Sequence, residues 1–254
     1  MSTIIPITSS VNTSRLNVHG QPIGPALDSW IPRSSPPQTS MAGTYCRLEI
    51  LSAEKHGQDL FQANTLDTSG KNWSYLAYGP FETLASYQDW IREIASTNDP
   101  LFHAIIDQSN GKAVGVASYL RITPSVGSIE VGHINFSPAL QRNRMATEAM
   151  YLMMKRVFTE LGYRRYEWKC DALNAGSIAA AKRLGFTFEG VFRQATVYKG
   201  RNRDTAWFSI LDKEWPALDQ AFKQWLAPEN FDVDANQKIS LSALTTKALE
   251  QNEG

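Results

Sequence analysis

The sequence has few cysteines, no excess of either charge and no long apolar segment. Its two cysteines, Cys46 and Cys170, are too few for a disulfide framework and lack metal-ligand spacing, which favours a reducing, cytoplasmic setting. Lys plus Arg and Asp plus Glu both number 25, so no net charge favours nucleic acid or membrane as a partner. No apolar run approaches the roughly 18 residues that span a bilayer, and residues 1–10 lack the basic and apolar regions of a signal peptide.

The chain of 254 residues is 43% hydrophobic, which is enough for a sizeable core. Composition predicts three parts. Residues 1–43 form an irregular arm rich in Pro, Ser, Asn and Gly, which we expect to dock partly through the apolar side chains Ile23, Leu27, Trp30 and Ile31. Residues 44–226 form the main domain, and residues 227–254 form a polar tail.

Apolar periodicity in the main domain predicts a mixed α/β fold with the order β-α-α-β-β-β-α-β-α-β-β. Residues 101–106 and 113–120 are predicted to pair as a hairpin, which the Asn110-Gly111 pair supports. A second hairpin joins 187–198 to 204–211 through residues 199–202. The unit Ile129–Cys170 reads strand, helix, strand, which predicts a parallel pair with a right-handed crossover.

Polar residues within 128–186 stand where strands end and helices begin. A strand over 129–136 is followed by a basic turn and a helix that runs to about Gly162. A helix N-terminus after a basic turn is an anion site, because its free N–H groups and its dipole both favour negative charge. A second polar helix start follows at 171–177.

These residues resemble the GNAT superfamily of acetyl-CoA-dependent N-acetyltransferases, and within it the RimJ/RimL type. Gln141–Ala146 resembles the family's pyrophosphate loop, Thr147-Glu148-Ala149 the residues that follow it, and Asn174, Ser177 and Leu184-Gly185-Phe186 the later helix and its end. The match covers roughly residues 44–225. The resemblance implies a mainly antiparallel sheet flanked by helices, a splayed parallel strand pair that holds the coenzyme, and acetyl transfer from acetyl-CoA to a primary amine without a metal.

Two residues depart from the family pattern. Arg144 replaces the central glycine of the loop, so it must adopt the loop conformation or contribute its own charge to the phosphates, as Arg142 could also do. Ala181 replaces a tyrosine that in many relatives protonates the leaving thiolate. Ser177 is the expected substitute.

The resemblance places the coenzyme against a set of residues that spans the strand end, the loop and the later helix: Asn135, Phe136, Ser137, Gln141, Arg142, Asn143, Arg144, Met145, Ala146, Thr147, Asn174 and Ser177. Asn135 to Ser137 would act through their main chain, as an added strand does. For Asn174 and Ser177, ordinary helix capping is the alternative.

Glu130 is the first candidate base, acting through a water, and a structural ion pair is the alternative. His133 is the second candidate, because an imidazole suits proton transfer near neutral pH, although a lone histidine on a strand is more often packed. The two side chains share a face only if a bulge separates them.

Trp73, Tyr75, Arg121 and Arg193 are candidates for binding the acceptor. For these residues, and for Arg201 and Arg203, a solvated charge or a packed aromatic ring is the better supported interpretation. The arm and tail favour a small-molecule acceptor over a peptide. Alternatives are a protein N-terminal acetyltransferase and a silent CoA-binding sensor. Nucleic acid and membrane are not expected as partners, and a homodimer is compatible with exposed strand edges.

Overall fold

The structure, a computed structural model, describes residues 15–251, and the chain divides into two compact units, Met1–Ile31 and Pro32–Gly254. In the first unit, two short strands, β1 (Arg15–Leu16) and β2 (Pro22–Ile23), pair in antiparallel fashion. The expected docking of the arm, like the boundaries of the three predicted parts, stays a prediction.

The second unit is built on one eight-stranded sheet with the order β3-β4-β5-β6-β7-β8-β10-β9. Its strands are β3 (Met41–Ala42), β4 (Cys46–Ile50), β5 (Leu101–Asp107), β6 (Ala113–Thr123), β7 (Ser128–Phe136), β8 (Arg165–Asp171), β9 (Thr187–Tyr198) and β10 (Arg201–Leu211). All neighbours are antiparallel except β7 and β8, which are parallel. The predicted mixed α/β fold with a mainly antiparallel sheet is confirmed.

Helices cover both faces of this sheet: α1 (Ala53–Thr65), α2 (Leu84–Ile94), α3 (Arg144–Lys155), α4 (Ala175–Arg183), α5 (Trp215–Leu226) and α6 (Leu241–Glu250). Adjacent residues of β5 belong to different cores: Phe102 packs with α1 and α2, and Leu101 with the core that includes α3. Because successive side chains of a strand point to opposite faces, α1 and α2 lie on one face and α3 to α6 on the other.

The helix predicted from Ala139 begins five residues later, at Arg144. The intervening residues form a turn, in which the N–H groups of Leu140 and Gln141 both donate to the carbonyl of Ser137. After Lys155 the helix continues as a π-helical turn, Arg156–Glu160. The buried Arg156 in this turn donates to the carbonyls of Thr39 and Ser40.

Two other segments differ from the sequence-based expectation. Residues 227–254 were expected to be a polar tail in which Ser240 to Leu249 could form one or two amphipathic turns. The tail contains the longer helix α6, whose Leu241, Thr245 and Ala248 are buried at helical spacing. The turn between β9 and β10 contains only Lys199 and Gly200, both with positive φ (46° and 69°), as a two-residue hairpin turn requires. Within residues 15–251, no helix is long and apolar enough to cross a membrane.

Candidate functional site

The parallel strands β7 and β8 diverge halfway along their length. Their pairing runs from Ser128 with Arg165 to Val131 with Trp168 and then stops. Beyond that point β7 continues along β6, and β8 continues along β10 as far as Asp171. The inner edges of 132–136 and 169–171 therefore face a gap, where main-chain groups can pair with an extended ligand. This gap is the splayed pair that the resemblance predicted.

A bulge in β7 lies at the opening of the gap. Gly132 pairs with Ser118 and Asn135 with Val116, so β7 has one residue more than β6 in this interval. The extra residue is accommodated at His133, whose φ is 51°. The bulge provides the condition under which Glu130 and His133 can share a face.

The imidazole of His133 packs between aromatic rings. Its centroid lies 5.0 Å from that of Phe102 and 5.7 Å from that of Tyr78, on the face covered by α1 and α2. Burial, together with the guanidinium groups of Arg121 and Arg203, lowers the pKa of His133 to about 4. The ring is therefore neutral at pH 7.

Glu130 is 3% exposed and lies at the centre of a charged cluster. Its Oε2 lies 2.8 Å from Nη1 of Arg121 and 2.9 Å from Nζ of Lys169, and Oε1 takes part in neither pair. Burial raises the pKa of Glu130, and the two cations oppose that effect. The structural ion pair considered as the alternative for Glu130 is present, and the second oxygen stays outside it.

Lys169 was not singled out from the sequence. It also lies 2.7 Å from Glu167, so it links two carboxylates of neighbouring strands. The signal was present in β8, where the buried Tyr166, Trp168 and Cys170 alternate with charged residues, which predicts one charged face.

The N-terminus of α3 carries the basic turn. Asn143 caps the helix, its Oδ1 accepting from the N–H of Met145 at 3.0 Å. The left-handed residue of the turn is Arg142, with φ 57°, whereas Arg144 is the first helical residue. The guanidinium of Arg144 lies 3.8 Å from the ring centroid of Phe231. Arg144 thus replaces the family glycine at a position where no positive φ is needed, and its charge is stacked on an aromatic ring.

Main-chain groups expected to meet the coenzyme are partly used by the protein. The carbonyl of Phe136 accepts from the side chain of Gln141 at 2.9 Å, and the N–H of Ser137 donates to Val114. By contrast, the Oδ1 of Asn135 and the Oγ of Ser137 are buried without a hydrogen-bond partner. At this strand end, two side-chain oxygens therefore have unused hydrogen-bonding capacity in addition to the unpaired main-chain edge.

The remaining residues of the predicted loop site are either wholly or partly buried in α3 or exposed in the turn before it. Met145 and Thr147 are buried, and the Oγ1 of Thr147 accepts from Arg183 at 3.0 Å. Ala146 is half-buried. Their side chains therefore hold α3 in place, and the exposed residues of the turn are Gln141, Arg142 and Asn143.

Asn174 and Ser177 lie at the start of α4, beside the gap. Asn174 caps the helix by accepting from the N–H of Ser177 at 3.0 Å, which is the alternative role considered for it. The Oγ of Ser177 accepts from the indole Nε1 of Trp168 at 2.9 Å. This bond fixes the hydroxyl next to the last residue of β8 that pairs with β7. Ala181 is fully buried in the core.

Of the candidates for binding the acceptor, Trp73 lies in the core and Tyr75 lies at the surface. The ring of Trp73 is buried with Tyr78 and Phe81, although its carbonyl accepts from Nζ of Lys199 at 2.9 Å. The hydroxyl of Tyr75 donates to the carbonyl of Leu173 at 3.1 Å.

Arg121 contacts Glu130, as described, while Arg193 is exposed and lines an open cavity of about 740 Å³ on the β9–β10 hairpin. The structure therefore brings Arg121 to the bulge and gives Arg193 a place in a separate cavity. Among residues 15–251, no group of three or more His, Cys, Asp or Glu side chains could hold a metal ion.

Comparisons with known proteins agree with this geometry. The acetyltransferase (GNAT) domain family matches residues 47–187. A GCN5-related N-acetyltransferase from Brucella melitensis is 48% identical, with a TM-score of 0.85 over 87% of this chain and 100% of that chain. The uncharacterized N-acetyltransferase p20 of Bacillus licheniformis is 25% identical over 181 residues, 66% of this chain and 99% of that protein.

A second similar structure is that of the microcin C7 self-immunity acetyltransferase MccE, described in complex with acetyl-CoA and AMP. It is 20% identical, with a TM-score of 0.59 over 66% of this chain and 93% of that chain, and at this identity it supports the fold alone. The family match covers more than half of the sequence, and the Brucella protein is similar along nearly its whole length. The chain belongs to the GNAT acetyltransferase family.

Proposed function

We propose that this protein moves the acetyl group of acetyl-CoA to the primary amine of a small molecule by direct attack within a ternary complex. The observation that carries the proposal is the gap between β7 and β8, which is open along both inner edges and is followed by the N-terminus of α3. This arrangement suits a ligand with an extended amide-containing arm and an anionic end.

The residues present fit acetyl-CoA. The unpaired edges of β7 and β8 and the partnerless Asn135 Oδ1 offer hydrogen bonds to the arm. The exposed Arg142 and the α3 N-terminus offer positive charge to phosphates. The structure described for MccE contains acetyl-CoA. When bound, acetyl-CoA supplies an acetyl group already activated as a thioester.

Glu130 is the proposed base, acting through a water. Removing a proton from an amine is easier for a base whose pKa lies closer to that of the amine. Burial raises the pKa of Glu130, whereas it lowers that of His133 to about 4. His133 is neutral at pH 7 and is assigned the task of accepting a hydrogen bond from the incoming amine.

Ser177 is the proposed proton donor to the leaving thiolate. Its hydroxyl is held beside the gap by Trp168, and Ala181 has no proton to give. A serine hydroxyl is a weak acid, so its contribution is a positioned hydrogen bond to sulfur more than full proton transfer.

A small acceptor is supported by the contacts across the rim. The hydrogen bonds from Lys199 to Trp73 and from Tyr75 to Leu173 join the loop before α2 to the β9–β10 turn and to the segment before α4. A peptide would need to displace or bypass them. A protein N-terminal acetyltransferase of RimJ/RimL type and a silent CoA-binding sensor are the competing proposals.

The test is release of free CoA from acetyl-CoA across amino acids, polyamines, aminoacyl-nucleotide analogues and peptides, with acetyl-CoA binding measured alongside. We expect turnover with small amines, reduced about 100-fold in Glu130→Gln and about tenfold in Ser177→Ala, with acetyl-CoA affinity retained. Glu160→Gln, at a half-exposed ion pair away from the gap, is the matched control. Turnover with peptides alone would favour the RimJ/RimL-type activity. Binding without turnover would favour the sensor, and no binding would overturn the coenzyme assignment.

A further inference from the structure

Arg203 lies at the gap between the two diverging strands. Thr205 of β10 pairs with Asp171, the last residue of β8, and Arg203 lies two residues further along, where β8 has ended. Its guanidinium is close enough to His133 on β7 and to Cys170 on β8 to affect the pKa of both side chains. Arg203 therefore stands on the β8 side of the opening, beyond the end of β8, with its guanidinium near the bulge of β7.

Three other cations of the strands at the gap are neutralised by carboxylates: Arg121 by Glu130, Lys169 by Glu130 and Glu167, and Arg165 by Glu167 and Glu189. Arg203 is different. No ion pair or hydrogen bond joins its side chain to another residue in the part of the chain that the structure describes, and its Nε is buried without a partner. A guanidinium is charged at every physiological pH, and a buried donor left unpaired is unfavourable.

Two carboxylates close to Arg203, Asp171 through strand pairing and Asp204 in the chain, already accept hydrogen bonds from other groups. Asp171 accepts from the hydroxyl of Tyr198 at 2.8 Å and from the N–H of Leu173 at 2.8 Å. Asp204 accepts from the N–H of Gln194 at 2.7 Å and from the side chain of Asn202 at 3.0 Å. Both carboxylates therefore have hydrogen-bond partners of their own, and Arg203, whose Nε is unpaired, is available to pair with an anionic ligand.

The position of Arg203 favours the acceptor over the coenzyme phosphates. The proposed phosphate site follows Phe136, at the far end of the unpaired edge of β7, whereas the guanidinium of Arg203 acts electrostatically on His133, near the start of that edge. The three residue steps from His133 to Phe136 span at most roughly 10 Å. Arg203 thus lies on the side where the amine is expected to enter.

We propose that the acceptor amine carries an anionic group, a carboxylate or a phosphate, which pairs with Arg203 while its amino group reaches His133 and Glu130. The inference rests on the proposed function and narrows its substrate to anionic amines. Arg203 acts as a specificity-determining residue, and a bidentate pair is the geometry a guanidinium offers to either anion.

The test compares matched pairs of amines that differ only in charge: amino acids with their amides, and phosphoethanolamine with ethanolamine. Binding to the CoA-loaded protein is measured by calorimetry, and turnover is measured with KM and kcat resolved. The variants are Arg203→Gln and Arg203→Lys, with Arg201→Gln as the control, because Arg201 is an exposed residue of the same strand.

We expect the wild type to bind one anionic member at least about tenfold more tightly than its neutral partner, and Arg203→Gln to abolish that difference. Arg203→Lys should keep part of it, Arg201→Gln all of it, and acetyl-CoA affinity should not change. The pair that shows the preference identifies the anion. Equal binding of charged and neutral amines, or a loss of acetyl-CoA affinity in Arg203→Gln, would overturn the inference. Preferential binding without turnover would uphold it and count against the proposed function alone.

Discussion

Nζ of Lys169 lies 2.9 Å from Oε2 of Glu130, and this pair joins β7 to β8 where their ladder ends. Lys169 is the first residue of β8 beyond the last register pair, and both side chains are less than a tenth exposed. The contact therefore holds the two strands together at the point from which they diverge. It also fixes the carboxylate to which we assign proton removal.

Removing Lys169 alone should lower the stability of the fold more than removing the charges of both Lys169 and Glu130. We expect Lys169→Met to lower the free energy of unfolding by about 3 kcal/mol, because it leaves a buried carboxylate partly uncompensated. The double variant with Glu130→Gln should recover part of that loss. Urea unfolding measures the stability of the single and the double variant. The control is Lys223→Met, in an exposed i,i+4 pair, which should change stability by less than about 0.5 kcal/mol. Equal losses in the single and double variants would argue against a buried pair.

Gly43 should not tolerate a side chain. The carboxylate of Glu148 accepts from the N–H groups of Thr44, Tyr45 and Cys46 at 2.6–2.7 Å, and a Cβ on Gly43 would lie 2.4 Å from its Cδ. Gly43→Ala must displace Glu148, so we expect a loss of about 2 kcal/mol in urea unfolding. Gly176→Ala, whose Cβ would meet nothing closer than 3.7 Å, is the control and should be neutral or stabilising.

The two arginines of the basic turn should behave differently. Arg142→Ala should weaken acetyl-CoA binding about tenfold, through loss of one charge-assisted phosphate contact. Arg144→Ala should chiefly lower stability, by about 1 kcal/mol, because its guanidinium stacks on Phe231. Isothermal titration and thermal unfolding separate the two effects. If Arg144→Ala lost affinity and Arg142→Ala did not, the assignment of the phosphate contact would be reversed.

Asn174 should be replaceable by another capping residue as far as folding is concerned. Asn174→Ala should cost about 1 kcal/mol, whereas Asn174→Asp should retain most of the stability, since both Asn and Asp cap well. Urea unfolding gives these values. If acetyl-CoA affinity falls in Asn174→Asp while stability is kept, the side chain contacts the coenzyme in addition to capping α4.

Stability should fall as the pH drops below neutrality. Burial lowers the pKa of His103 to about 4, and this side chain is fully buried. The unfolded chain, with a histidine pKa near 6.5, binds the proton first, so the stability present above pH 6.5 is lost between there and pH 4. For His103 alone the loss at pH 5 is about 2 kcal/mol.

Urea unfolding at pH 7 and pH 5 tests this dependence. His56 and His133, whose pKa values burial also lowers, should add to the loss. In His103→Phe the difference between the two pH values should shrink by about 2 kcal/mol. An unchanged difference would show that His103 is not neutral in the folded protein.

Local sequence signals predicted many of the turns and secondary-structure elements of this protein. The Asn110-Gly111 pair predicted a hairpin, and the hairpin was found, because turn preferences depend on a few neighbouring residues. Several motifs in one order predicted the family and the splayed strand pair. By contrast, α6 was anticipated only as one or two amphipathic turns over Ser240 to Leu249, because its apolar side is narrow and its partners, α4 and α5, are distant in sequence.

Only the tertiary structure decided which residues of the site contact one another. Glu130, Lys169 and Arg121 come from three different strands, so their contact depends on register and on where the ladder ends. The same holds for Arg203, which sequence reasoning treated as a solvated charge. Its position at the gap follows from the pairing of β10 with β8, and its lack of a partner depends on which neighbours use the available carboxylates. Sequence identified the residue types, whereas long-range strand pairing decided which of them meet.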